Sequence, residues 1–122
     1  MLYMITEYKF GSITIERQTY RHDVEVWWTG EVLAWPRPES HKISAKDIQR
    51  AIEQNPETIV IGTGQSGIAQ VTPEAQKEVE LKGIKLIIDA TEEAIKTFNY
   101  LLSQAEENEE ELKIIGLFHL TC

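Results

Sequence analysis

Three glycines stand within six residues at Gly62-Thr63-Gly64-Gln65-Ser66-Gly67, directly after the apolar run Thr58-Ile59-Val60-Ile61. The spacing fits G-x-G-x-x-G, in which glycines let bare N–H groups approach a pyrophosphate at a helix start. Asp89 lies 22 positions beyond Gly67, where a ribose-binding acid belongs in such a fold. The same residues suit a smaller anion. The loop amides would hold an oxyanion or phosphate, Arg37 would supply charge, and His41 or His119 would act as general acid/base. The bland alternative is equally physical: glycine also permits a tight turn and nothing more. His119-x-x-Cys122 could supply two zinc ligands or a thiol beside an imidazole. A structural zinc site needs a second Cys/His pair at metal spacing, which this sequence lacks, so no metal is expected.

The elements decide between these chemistries. A dinucleotide loop opens its helix directly, placing the helix N-terminus on the pyrophosphate. Here Ile68-Ala69-Gln70-Val71 intervenes, and Thr72-Pro73-Glu74 marks the helix start, with Thr72 as N-cap and Pro73 at the first helical position. The glycine motif is therefore read as structural or as a general anion loop, and no cofactor is expected. That helix ends near Lys82-Gly83. Ile84 to Ile88 reads as a second buried strand. Asp89-Ala90-Thr91 opens a long helix with Ala94, Ile95, Phe98, Leu101 and Leu102 at helical spacing. Ile114 to Leu120 reads as a third buried strand. Upstream, Ser44-Ala45-Lys46-Asp47 resembles a capping box for a helix from Ala45 to about Gln54, stopped by Asn55-Pro56. The first third reads as β. Ile13-Thr14-Ile15 alternates, Tyr20 begins another segment, and residues 23–28 and 32–35 form a hairpin around Thr29-Gly30-Glu31. Pro36-Arg37-Pro38 ends it. Alternation puts Trp27 and Trp28 on opposite faces, leaving one to meet a partner.

After residue 44 the order is α-β-α-β-α-β, which implies parallel strands joined by right-handed crossovers. The hairpin strands should extend that sheet or cover one face. Carboxyl ends of parallel strands share one edge, where open α/β folds bind ligands. The candidate cleft at that edge comprises Arg37, Ser40, His41, Gly62, Thr63, Gly64, Gln65, Ser66, Gly67, Thr91, His119 and Cys122. Composition bounds the partners. The 122 residues suit one domain, residues 1–122, and carry a net charge of −8. That charge disfavours nucleic acid and anionic membrane surfaces. Much of it sits in Glu106-Glu107-Asn108-Glu109-Glu110-Glu111, read as a solvated helix end. No apolar run approaches the roughly 20 residues of a membrane span. The N-terminal residues 1–7 lack a signal-peptide pattern. The single cysteine, Cys122, excludes an intramolecular disulfide and suits a reducing, cytoplasmic compartment.

Phe10-Gly11-Ser12-Ile13, Tyr20 and Asp23, Ser40-His41, Ile61-Gly62-Thr63-Gly64 with Gly67, Thr91 and Ala94, Asn99, and the ending His119-Leu120-Thr121-Cys122 together resemble a small single-domain family. That family is named after an archaeal protein of unknown function. It includes the eukaryotic adipogenesis-associated protein and the third mitochondrial complex I assembly factor. The resemblance runs from about Ile5 to Cys122 and lies in the order and spacing of these residues. It implies a three-layer α/β domain with a mixed central sheet, parallel strands after residue 57 and an N-terminal β-hairpin region. It implies no established catalytic activity, and its mitochondrial member acts through protein partners. Residues 106–111 make a longer acidic stretch than the family's usual turn before the last strand. The expectation is a non-enzymatic binding or assembly module with a protein partner. The alternative is a small-anion-binding enzyme using the glycine loop and cleft. Whether the domain catalyses anything is left open.

Overall fold

The computed structural model describes residues 4–122; Met1, Leu2 and Tyr3, where the N-terminal reading of residues 1–7 begins, lie outside the described residues. In chain order the elements are β1 (Ile5–Lys9), β2 (Ser12–Ile15), β3 (Gln18–Tyr20), β4 (Val24–Trp27), β5 (Val32–Ala34), β6 (Lys42–Ile43), α1 (Gln49–Glu53), β7 (Thr58–Thr63), β8 (Gln70–Val71), α2 (Pro73–Leu81), β9 (Lys85–Asp89), α3 (Thr91–Glu107) and β10 (Ile114–His119). The central sheet has the order β5-β4-β10-β7-β9. β10 and β9 run parallel to β7, whereas β4 pairs antiparallel with β10 and β5 antiparallel with β4.

The chain steps from β7 outward to β9 and then back past β7 to β10. Right-handed crossovers taken in opposite directions put their helices on opposite faces. Ala75 and Val79 of α2 accordingly pack with Ile59, Ile61, Ile115 and Leu117 on one face. Ala94, Ile95 and Phe98 of α3 pack with Val60, Ile114 and Phe118 on the other. The period of two along β7 is the cause: neighbouring residues feed different cores. The hairpin β4–β5 extends the sheet. The antiparallel meander β1-β2-β3 covers the α3 face through Ile5, Ile13 and Ile15, completing the third layer. Gly116 leaves room on that face, where an added Cβ would lie 2.5 Å from the Phe118 ring. Phe98 and Phe118 meet edge to face there.

Caps act where the sequence places them. Thr72 accepts from the Ala75 N–H at 3.1 Å, and Gly83 leaves α2 with φ +72°. The Asp47 carboxylate accepts from the Ser44 N–H and hydroxyl, but the turn it starts is a 3-10 turn (Lys46–Ile48) leading into the short α1. Other details differ from expectation. β9 is an edge strand, not a buried one, with Lys85, Ile88 and Asp89 exposed. Trp27 and Trp28 do not split between faces. Trp28 follows the end of β4, so strand alternation no longer governs it, and the two rings stack and pack half-buried against the α1–α2 core. β6 and β8 form a two-stranded parallel ladder that the sequence did not announce. Glu25 is buried in mid-strand, bonded by Arg50 at 3.0 Å and by the Trp27 indole at 2.7 Å.

Candidate functional site

The register that pairs Val24 with Phe118 places Asp23, just ahead of β4, beside His119 at the end of β10. Because β4 runs antiparallel, its first residue reaches the same edge as the carboxyl ends of β7, β9 and β10. Asp23 is the hub of that edge. One carboxylate oxygen accepts from the Leu120 N–H at 2.8 Å. The other lies 2.8 Å from an Arg37 Nη and 2.7 Å from His119 Nδ1. Burial pushes the Asp23 carboxyl up, but the bonds from His119, Arg37 and the Leu120 N–H outweigh it and hold it below the ordinary value.

His119 is buried, and both its nitrogens are engaged. Nε2 lies 2.8 Å from the Cys122 carbonyl, which can only accept, so Nε2 carries a proton. Nδ1 lies between the Asp23 acceptor and an Arg37 donor, each at 2.7 Å. Neither nitrogen faces solvent as a free base. Arg37 is equally committed. Its second Nη donates to the carbonyls of Glu39, Ser40 and Lys42, and its guanidinium lies 4.7 Å from the centre of the Trp35 ring. Arg37 thus pins the segment between β5 and β6 to the sheet edge.

The glycine loop is bonded inward. The Gly64 N–H donates to Thr91 Oγ1 at 2.8 Å, and that hydroxyl donates onward to the His119 carbonyl at 2.6 Å. The Thr91 N–H returns to the Gly64 carbonyl at 3.0 Å. The Gln65 N–H bonds the Thr121 carbonyl and the Gly67 N–H the Gly64 carbonyl. Two glycines have steric reasons to be there. A Cβ on Gly62 would lie 2.8 Å from Thr91 Oγ1; Gly64 has φ +104°, and a Cβ would come 2.6 Å from the Thr121 carbonyl. The loop leads into β8 rather than opening α2. Its nearest helix start is that of α3, whose first turn carries Glu92 and Glu93 beside exposed Asp89. These carboxylates already complement the helix dipole and repel an incoming anion.

Of the twelve cleft residues, Arg37, Gly64, Gln65, Thr91, His119 and Cys122 form one bonded network. Gly62 abuts Thr91, and the Thr63 hydroxyl donates to the Asp89 carbonyl. Ser40 and His41 are exposed and enter through their carbonyls, to Arg37 and Gln70. Ser66 and the Cys122 thiol face outward, while Gly67, though exposed, is tied to the Gly64 carbonyl through its N–H. Among the described residues no group of three or more His, Cys, Asp or Glu side chains is placed to hold a metal ion. Sequence reasoning about the cleft left out Asp23. Periodicity finds the β4 hairpin, but only its pairing with β10 brings Asp23 to the edge.

Fold and edge together define a small α/β domain whose strand-end groups bond mainly to one another. The chain belongs to the family described as "Protein of unknown function (DUF498/DUF598)", whose family model matches residues 5–108. It is similar to a conserved hypothetical protein from Pyrococcus horikoshii, at 25% identity over 97% of this chain and 98% of that one, with a TM-score of 0.76. A Bordetella parapertussis protein shares the fold at 22% identity, 96% and 94% coverage and a TM-score of 0.79. So does a Mth938-like domain from Bordetella pertussis, at 19% identity, 96% and 85% coverage and a TM-score of 0.77.

Proposed function

We propose that this domain is a non-enzymatic binding or assembly module, working in the cytoplasm through a protein partner. The observation that supports this reading is the engagement of the strand-end groups within the fold: the Gly64 and Gln65 amides, both His119 nitrogens and both Arg37 terminal nitrogens all have internal partners. Groups that hold an edge together are not free to hold a substrate. On this reading the domain is kin to the adipogenesis-associated protein and to the third mitochondrial complex I assembly factor, the latter of which acts through protein partners. Among the described residues no helix is long and apolar enough to cross a membrane, and the net charge of −8 disfavours nucleic acid.

A second reading, a small-anion site, has one observation in its favour. Arg37 Nε is buried and finds no acceptor among the described residues, beside an open cavity of about 210 Å3 lined by His22, Asp23, Trp35 and Pro36. Thermal denaturation with phosphate, nucleotides, NAD, NADP, short carboxylates and zinc separates the two, because a ligand of the native state raises the midpoint. A flat panel, with a specific protein recovered by cross-linking and affinity capture, supports the module. A phosphate or carboxylate shift that disappears in Arg37→Lys replaces it with the anion site.

A further inference from the structure

The two edges of the central sheet are finished differently. β5 has three residues, is followed by Pro36 and Pro38, and its Ala34 carbonyl is taken by Arg50 at 2.7 Å. β9 has five residues and no proline, and no strand pairs with its outer side among the described residues. The Lys85 N–H bonds inward to Glu57 on the β7 side. By alternation Ile87 and Asp89 also turn their backbone groups toward β7, while those of Leu86 and Ile88 point outward. A long uncovered edge of this kind is a template for another strand.

We infer that β9 pairs with β9 of a second copy of this chain, antiparallel, about a two-fold axis at Ile87. The sequence Lys85-Leu86-Ile87-Ile88-Asp89 is self-complementary in that register. Leu86 faces the partner's Ile88 and Ile88 its Leu86, so the outward-pointing backbone groups meet as hydrogen-bonded pairs. Lys85 faces the partner's Asp89 on both sides of the axis, and opposite charges directly across a ladder are stabilising. Ile87 meets its own copy at the centre. Leu86 and Ile88 share one face, where they border a groove beside Gln76, Lys77 and Glu80 of α2; pairing brings each against its apolar counterpart. A two-fold interface requires such self-complementarity. The Asp89 oxygen that accepts from the Ala90 N–H leaves its second oxygen for the lysine. This pairing does not depend on the module reading above.

Sedimentation velocity over a micromolar to millimolar series tests it. The native chain is expected to rise from 14.0 kDa toward twice that mass, with slowed exchange at the Leu86 and Ile88 amides. Ile88→Pro removes an N–H that the β7 ladder does not use, and is expected to stay monomeric. Lys85→Glu and Asp89→Lys are each expected to be monomeric alone, through like charges in both pairs, and to form a dimer when mixed. This mixing test holds even if the proline variant fails to fold. A native chain that is monomeric throughout overturns the inference and leaves the edge to a different partner. Dimerisation of the two charge variants alone, or none on mixing, overturns it equally.

Discussion

Asp23 has 19% of its side chain exposed, yet it joins two long-range pieces of chain: Arg37 from the segment after β5 and His119–Leu120 after β10. Removing one partner from a covered ion pair leaves the other charge without compensation, so Asp23→Ala is expected to lower stability by about 3–5 kcal/mol, read from urea denaturation at neutral pH. Because the folded carboxyl titrates below its ordinary value of 3.8, the unfolded chain binds the proton more readily. Its contribution is full above that value and lost as pH falls through the lower folded value. Native and Asp23→Asn unfolding midpoints should therefore converge in the strongly acid range. Thr91 makes a sharper test. Its hydroxyl is fully buried between the Gly64 N–H and the His119 carbonyl. Thr91→Val leaves both without a partner and is expected to cost about 1–3 kcal/mol, while Thr91→Ser keeps the two bonds and most of the stability.

At the scale of elements, Thr72→Ala should cost about 1 kcal/mol by removing the α2 cap, visible as a lower thermal midpoint. This cap was legible because its signal is local: Thr-Pro-Glu ahead of an apolar stripe needs no tertiary partner. The same holds for β7, α2 and β10, placed within a residue or two, and for the start of α3. Long-range choices were not legible. Nothing in residues 84–88 distinguishes an edge strand from a central one, because an apolar run serves both until its neighbours are known. Gln70–Val71 looks like an ordinary loop until β6 lies against it. The inward bonding of the glycine loop was likewise out of reach of local sequence: its amides face Thr91 and the tail, contacts set by residues 27 and more positions away. Asp23 entered through the resemblance but not through the cleft for the same reason, being 97 positions from the amide it accepts from.

For the molecule as a whole, one sheet is shared by two cores, so neither can melt alone. Trp35 reports on the α1–α2 side and Phe98 anchors the α3 side. Tryptophan fluorescence and far-ultraviolet circular dichroism should therefore give coincident unfolding curves, and Phe98→Ala, worth about 3–5 kcal/mol, should move both together. The position of β10 has a consequence for how this state is reached. Among the described residues it is the last strand in chain order and the middle one in the sheet, lying between β4 and β7. As the chain emerges in order, the hairpin and the parallel pair β7–β9 can each form early, but both must wait with an open inner edge for residues 114–119. Closing the sheet is then a single late insertion between two waiting halves, with large sequence separation on one side. Folding should be slow for a domain of this size, and the waiting edges are its period of greatest exposure to aggregation.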